Sequence, residues 1–353
     1  MGFEQRIPII KKIEDLRQST VICYLTSVRP NLQAAMAEDG VRVFFDQMML
    51  LPKNSPKIDI FLCSNGGSGT VPWRLISLLR EYTKHVGVLI PFRAYSAATL
   101  LALGADDIVM HPFAEMGPID PTVQNDFNPI NPKTNQYLGI SVEDVKAYIS
   151  FCKTTAGIQH EDELVKVIEI LAQKVHPLAL GNVERFISQS RLIARKILHT
   201  HMKSDSAHKI DEIIETMASK LYFHGHPINR REAREELGLK VKEKVEPELE
   251  TAMWQLYEDF EAEMQNRVPF DPMSEIVRSV ANPLIQVPGN QQMAVPVGTN
   301  IQMEIIFAFI ESVKLSYRHS QKKRYMVVGT GQMQEPLVRE DTLAGGWQRS
   351  PAP

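Results

Sequence analysis

The sequence has few cysteines, and their spacing supports neither disulfides nor a metal centre. Cys23, Cys63 and Cys152 are the only three in 353 residues. An odd number at unrelated spacings gives no disulfide framework and no zinc signature. Cys23 and Cys63 lie in apolar, β-like runs, where we expect buried thiols. We therefore expect a protein without a metal in a reducing compartment, the cytoplasm.

Long apolar runs and a strong charge of either sign are also missing. No stretch approaches the roughly 18 consecutive apolar residues that a membrane-spanning helix needs, and residues 1–6 lack the apolar core of a signal peptide. The net charge of −3 argues against nucleic acid as the main partner. The overall composition, with 44% hydrophobic and 23% charged residues, is that of an ordinary soluble protein. The length fits one large or two average domains.

The first 110 residues alternate strand-like and helix-like segments. Short apolar, β-branched runs predict strands at residues 20–25, 57–63, 86–91 and 107–110. Helical spacing predicts helices at residues 41–51, 72–82 and 97–105. This alternation implies right-handed crossovers and a largely parallel sheet in an α/β fold.

The rest of the chain has mostly helical periodicity. The predicted helices are at residues 142–151, 161–174, 183–200, 230–237, 246–266 and 300–317. Asn229 with Glu232 fits a capping box that opens the fourth of these helices. Residues 269–298 are predicted to be irregular, residues 324–329 to form a strand, and residues 344–353 to be disordered. We therefore expect a domain at residues 1–245 and a helical or irregular C-terminal extension at residues 246–353.

Ser96 stands where a predicted strand ends and a helix of small residues begins. The first amides of a helix have no intrahelical acceptor and carry the positive end of the helix dipole. A serine nucleophile and an oxyanion donor can therefore lie within a few ångströms of each other at such a junction. On this stretch alone, Ser96 is equally well interpreted as an ordinary helix N-cap.

A glycine loop, Ser-Asn-Gly-Gly-Ser-Gly at residues 64–69, follows the second strand and precedes a helix. Backbone amides in such a loop can surround an anion or complete an oxyanion hole, because glycine allows close approach. The loop lacks the Gly-Lys-Ser/Thr ending of a P-loop and does not match the dinucleotide-binding pattern. We therefore expect no cofactor.

A nucleophilic serine needs a base at neutral pH. Among the ten histidines, His224 and His226 differ from the rest because they flank a glycine in a short loop. This pair has no third ligand at a spacing typical of a metal site. Lys133, Lys146 and Lys153 are alternative partners in a Ser-Lys dyad, and the residues alone do not select among them.

Three segments together resemble the Clp-protease/crotonase superfamily, and within it the serine dehydrogenase proteinase family, a relative of signal peptide peptidase A. They are residues 60–67, residues 95–110 together with Gly-Pro-Ile-Asp-Pro at residues 117–121, and residues 224–239. Asn65 stands where the family usually has proline, and His226 where it usually has tyrosine. The resemblance covers about residues 15–245 and implies a ClpP/crotonase-like spiral fold.

Position by position, the resemblance implies Ser96 as nucleophile, Asp120 as orienting carboxylate and His224 as general base, with His226 as second choice. We expect the amides of Gly67 and Ala97 to form the oxyanion hole. The implied function is an ATP-independent serine endopeptidase that acts on peptides or proteins. A homo-oligomer is also expected, since this superfamily usually buries helical arms between subunits.

Two other functions are compatible with the same residues. A crotonase-like acyl-CoA enzyme would use the two amides for a thioester enolate and would not need Ser96 as a nucleophile. A catalytically inactive, scaffolding member of the superfamily would tolerate the departures at Asn65 and His226. Labelling by a serine-directed probe and binding of CoA distinguish the three functions.

Overall fold

The computed structural model describes residues 2–32, 34–51, 55–120, 122–123, 125–131, 137–202, 206–220, 225–280, 284–287, 290–293, 295–331 and 336–350. The chain divides into two compact units. The first combines Met1–Ser64 with Glu246–Pro353, and the second is Asn65–Val245. The mixed α/β class expected from the sequence is confirmed.

The helices are α1 (Phe3–Arg17), α2 (Asp39–Met48), α3 (Val71–Tyr82), α4 (Ala97–Ala102), α5 (Val142–Ser150), α6 (Glu161–Lys174), α7 (Pro177–His199), α8 (Ala207–Glu215), α9 (Arg230–Glu235), α10 (Pro247–Glu263) and α11 (Pro272–Ser279). The strands are β1 (Thr20–Thr26), β2 (Ile58–Cys63), β3 (Val86–Ile90), β4 (Arg93–Ala94), β5 (Asp107–Met110), β6 (Glu115–Met116), β7 (Thr122–Val123), β8 (Ile140–Ser141), β9 (Ile228–Asn229), β10 (Leu284–Val287), β11 (Asn290–Met293), β12 (Asn300–Ser312), β13 (Leu315–Thr330) and β14 (Pro336–Ser350).

In the first unit, five strands lie in the order β14-β13-β12-β1-β2. β1 and β2 are parallel, with Ile22 opposite Ile60. β12 is antiparallel to β1, with Leu25 opposite Phe309. Every residue of β2 is buried, as expected for a strand covered on both faces.

The C-terminal region differs from the sequence-based prediction. The helix predicted at residues 300–317 is wrong, because this segment forms β12 and the start of β13. Ile305, Phe309 and Val313 have helical spacing, but residues 305–310 are a continuous run of apolar residues that can form a buried strand equally well. Pairing with β1 decides in favour of the strand. The helix predicted at residues 246–266, by contrast, corresponds to α10, and the strand predicted at residues 324–329 lies within β13.

Two further C-terminal predictions need correction. Residues 344–350, predicted to be disordered, belong to β14, whose backbone pairs with β13 along both strands. Residues 269–298, predicted to be irregular, contain α11 and the hairpin of β10 and β11. In each of these strand pairs, the partner strand satisfies the backbone hydrogen-bonding groups. The partner cannot be identified from the composition of the segment alone.

In the second unit, β3 and β5 are parallel neighbours. A smaller sheet has the order β4-β6-β9, with β4 parallel to β6 and β6 antiparallel to β9. The chain leaves β4 at Ala94, passes through Ser96 and enters α4, while the chain leaving β6 leads to Asp120. The pairing of β4 with β6 therefore brings these two connections together.

Candidate active site

Ser96 occupies a strained turn at the N-terminus of α4, with φ 52° and ψ −114°. A non-glycine residue with positive φ is uncommon, and such strain, which costs roughly 1–3 kcal/mol, is concentrated at functional sites. Ser96 is in the N-cap position, but its side chain makes no capping hydrogen bond. A role as helix N-cap therefore does not explain why residue 96 carries a hydroxyl group.

Main-chain hydrogen bonds hold this turn, residues 95–97, which we call the Ser96 elbow. The amide of Ala98 donates to the carbonyl of Tyr95 at 2.9 Å, and the amide of Leu100 donates to the carbonyl of Ser96 at 3.0 Å. The Ala97 amide, by contrast, has no hydrogen-bond acceptor within the described part of the chain. One of the two predicted oxyanion donors is thus next to Ser96 and uncommitted.

The glycine loop contacts the Ser96 elbow through Gly66. A Cβ atom at Gly66 would lie 2.7 Å from the carbonyl oxygen of Tyr95 and 2.8 Å from the Cβ of Ser96. Gly66 also has φ 101°, which side-chain-bearing residues rarely adopt. The absence of a side chain therefore allows the loop to approach the elbow closely. Gly67, the second predicted oxyanion donor, lines a cavity together with Ser96.

This cavity, which we call the Ser96 cavity, has a volume of about 380 Å³. Its described lining residues are Asn65, Gly67, Ser68, Gly69, Thr70, Ser96, Leu100, Ile119, Phe186, Gln189, Ser190 and Ile193. None of these residues carries a formal charge. The lining combines an apolar part with uncharged polar side chains, so an uncharged group can enter without leaving a buried ion unpaired.

Helix α7 forms one wall of the Ser96 cavity through Phe186, Gln189, Ser190 and Ile193. The sequence predicted a helix with an apolar face at residues 183–200, but nothing in the sequence connected that face with Ser96. The available signal was Ser190, a polar residue within that apolar stripe. Its hydroxyl donates to the carbonyl of Ile119 at 2.7 Å, which ties α7 to the segment that precedes Asp120.

Asp120 is buried, with 3% of its surface exposed. Its neighbour Ile119 lines the Ser96 cavity, and the Ile119 amide donates to the carbonyl of Met217 at 3.0 Å. Asp120 therefore follows directly on a cavity-lining residue whose backbone is fixed at both its amide and its carbonyl. Asp120 itself is not among the lining residues described above.

The structure constrains the candidate bases unequally. His224, the first choice from the sequence, lies outside the described residues, as does Lys133. The Nε2 atom of His226 lies 2.8 Å from the Oε1 atom of Glu232. His226, Lys146 and Lys153 are all absent from the described lining of the Ser96 cavity. The geometry thus brings together Ser96, Gly67 and Ala97.

The glycine loop and the Ser96 elbow both lie in the part of the chain that matches a known protein family. A family model of ClpP-like SDH-type serine proteinases matches residues 2–131. The resemblance to the serine dehydrogenase proteinase family is thereby confirmed for this segment, which includes Gly67, Ser96 and Asp120. The family supports a peptidase-type function.

Similar proteins include two uncharacterised proteins of Methanocaldococcus jannaschii. One is 26% identical over 255 residues, which are 70% of this chain and 77% of the relative. The other is 25% identical over 252 residues, which are 68% of this chain and 73% of the relative. These relatives add no assigned activity.

Among solved structures, the S97A mutant of the 1510-N membrane-bound stomatin-specific protease aligns with a TM-score of 0.26 and 17% identity. The alignment covers 39% of this chain and 64% of that protease chain. In the present protein, no helix within the described ranges is long and apolar enough to cross a membrane.

Proposed function

We propose that the protein is an ATP-independent serine peptidase in which Ser96 attacks the carbonyl carbon of a peptide bond. The observation that carries the proposal is the conformation of Ser96, whose φ of 52° is strained and whose hydroxyl does not cap α4. A strained serine at a strand-to-helix turn is the arrangement by which other hydrolases expose a nucleophile. The Ser96 cavity provides room for a substrate side chain beside it.

The chemistry follows the usual course of acyl transfer. The Ser96 hydroxyl forms a bond to the carbonyl carbon while a base removes its proton, and the carbonyl oxygen becomes an oxyanion. The amides of Gly67 and Ala97 stabilise this charge, and loss of one such donor typically costs about 10²–10³ in rate. The base then gives its proton to the leaving amine, and water hydrolyses the acyl-enzyme.

We assign the base to His224 and the orienting carboxylate to Asp120. The assignment of His224 rests on the family resemblance. Burial of Asp120 beside the cavity-lining Ile119 supports its role, because an orienting carboxylate in a serine triad is typically buried. His226 is the second choice, because it stands where the family usually has tyrosine and is absent from the described lining of the Ser96 cavity.

We also propose that the peptidase is a homo-oligomer. Helices α6 and α7 expose large apolar side chains with 51–56% of their surface accessible: Val165, Ile168, Ile170, Leu178 and Leu192. Burying such side chains between subunits would remove apolar surface from water, which favours association. Light scattering of the purified protein tests this part of the proposal, and a monomer at all concentrations would contradict it.

Labelling with a fluorophosphonate probe, combined with hydrolysis of a peptide library, tests the peptidase assignment. Wild type should be labelled, Ser96→Ala should not, and His224→Ala should label much more slowly than His226→Ala, Lys146→Ala or Lys153→Ala. Ser77→Ala is the matched control, because the buried Ser77 hydroxyl in α3 has no hydrogen-bond partner among the described residues. An unlabelled but folded wild type, or equal labelling of Ser96→Ala, would refute the proposal and favour an inactive, scaffolding protein.

A further inference from the structure

Thr99 is fully buried in α4, one turn after Ser96. Its hydroxyl oxygen lies 2.7 Å from the carbonyl oxygen of Ala94 and 2.8 Å from the carbonyl oxygen of Gly117. Ala94 ends β4, two residues before Ser96, and Gly117 follows β6, three residues before Asp120. A single side chain therefore contacts both connections that lead to the proposed catalytic residues.

The two connections also contact each other directly. The amide of Gly117 donates to the carbonyl of Ala94 at 2.9 Å. A Cβ atom at Gly117 would lie 2.7 Å from the Cγ atom of Tyr95, so the Tyr95 ring packs on the Gly117 backbone. Thr99 thus adds its hydrogen bonds at a point where the Ser96 elbow and the segment before Asp120 are already in van der Waals contact.

The contact with Gly117 distinguishes Thr99 from an ordinary helical threonine. Serine and threonine hydroxyls in helices commonly donate to a carbonyl in the preceding turn, which is a local interaction. Gly117 is 18 residues away in the chain, and its carbonyl lies outside α4. The hydroxyl carries one proton and donates to one of the two carbonyls at a time, so it serves as a shared donor between the two connections.

We infer that Thr99 is a positioning residue of the active site, whose hydroxyl fixes the strained Ser96 elbow relative to the segment that carries Asp120. A strained backbone conformation persists only where the surrounding structure holds it. The Thr99 side chain is fully buried and is not among the described lining residues of the Ser96 cavity, so it acts through Ser96 and Asp120. The kinetic consequence rests on the proposed peptidase function, whereas the structural consequence does not.

The experiment compares Thr99→Val, which removes the hydroxyl at nearly constant volume, with Thr99→Ser, which retains it. Because misplacing a catalytic group by about 1 Å can cost about 100-fold in rate, we expect Thr99→Val to lower kcat and the fluorophosphonate labelling rate by about 10- to 100-fold. We expect KM to stay within about twofold, since uniform substrate binding is unchanged. Thr99→Ser should restore most of the rate.

Thr83→Val is the matched control. Thr83 is also buried in the second unit, and its hydroxyl donates to the carbonyl of His85 at 3.2 Å, at the C-terminal end of α3. This variant loses a buried threonine hydroxyl outside the Ser96 cavity, so it should lower the unfolding temperature without changing kcat. A loss of kcat in Thr83→Val equal to that in Thr99→Val would overturn the inference, as would equal rates of Thr99→Val and wild type.

Crystal structures of wild type and Thr99→Val supply a readout that does not depend on activity. We expect Ser96 to leave its positive-φ conformation, or residues 117–120 to shift by about 1 Å or more, a displacement large enough to affect catalysis. Unmoved backbone at both places would overturn the inference. If Thr99→Val does not fold, Thr99→Cys takes its place, because a thiol is a weaker donor. An unlabelled wild type would refute the peptidase function, and the structures would still decide the role of Thr99.

Discussion

Arg6 in α1 lies at the centre of a buried ionic cluster, and its replacement by methionine should strongly destabilise the protein. Its side chain is 1% exposed. Its Nε and Nη2 atoms donate to the two carboxylate oxygens of Glu311 at 2.8 and 2.9 Å, and its Nη1 atom donates to Asp259 at 2.8 Å and to Glu263 at 2.5 Å. The guanidinium also lies 4.3 Å from the ring centroid of Phe260.

The magnitude follows from what Arg6→Met leaves behind. Glu311 and Asp259 have side-chain exposures of 0% and 2%, so both would lose their cationic partner without gaining water. Removing one partner of a buried ion pair typically costs about 3–5 kcal/mol. Since the free energy of unfolding of a domain is about 5–15 kcal/mol in total, we expect Arg6→Met to remove about a fifth of the stability or more.

The loss should depend on pH in a defined direction. Burial raises the pKa of Glu311 above its ordinary value of 4.5, although hydrogen bonds from Arg6 and Ser316 oppose the shift. Without Arg6 this pKa rises further. Because the native state then binds more protons than the unfolded state, stability falls as pH increases from about 4.5 through the raised pKa. The penalty of Arg6→Met should therefore be smaller at pH 5 than at pH 7.

Urea denaturation followed by circular dichroism measures the free energy of unfolding at both pH values. Arg42→Met is the matched control, because Arg42 is 78% exposed and pairs with Asp46 within one helix. Such exposed pairs contribute about 0.3–0.5 kcal/mol. An Arg6→Met penalty no larger than that of Arg42→Met, or one that grows as the pH is lowered, would refute the reasoning.

Two further predictions concern backbone geometry. Gly66→Ala should both destabilise the protein and slow labelling of Ser96, because the added Cβ would lie 2.7 Å from the Tyr95 carbonyl oxygen. Labelling at the wild-type rate would contradict this prediction, because it would show that the Ser96 elbow accommodates the added methyl group. Asn229→Ala should cost about 0.5–2 kcal/mol of stability, since the Asn229 side chain accepts hydrogen bonds from the amides of Arg231 and Glu232 at the start of α9. Urea denaturation measures this loss, and Asn229→Asp, which keeps an acceptor oxygen, should recover most of it.

Local patterns predicted the elements around the candidate site well. Short apolar runs identified β1, β2, β3 and β5, and the helical predictions at residues 72–82 and 161–174 correspond closely to α3 and α6. Asn229 caps α9 through its side chain, as its position before the helix predicted. These features depend on residues within a few positions of one another, so a short stretch of sequence is enough to predict them.

Helix α1 shows why other elements were missed. Its buried face includes Arg6 and Arg17, and Pro8 lies inside the helix. Charged residues on the buried side obscure the apolar periodicity on which a helix prediction depends. Their burial is explained only by distant partners: Glu311 for Arg6 and Asp59 for Arg17.

The sequence by itself identified the turn at Ser96, the glycine loop before it and the strands and helices on either side. Only the tertiary structure showed that Ser96 is strained and does not cap its helix, that α7 forms a wall of the Ser96 cavity, and that residues 300–312 are a strand. Each of these depends on groups far apart in the chain, such as Ser190 with Ile119 or Phe309 with Leu25. Local sequence sets which conformations a segment can adopt, whereas the burial and hydrogen bonding that select one of them come from distant residues.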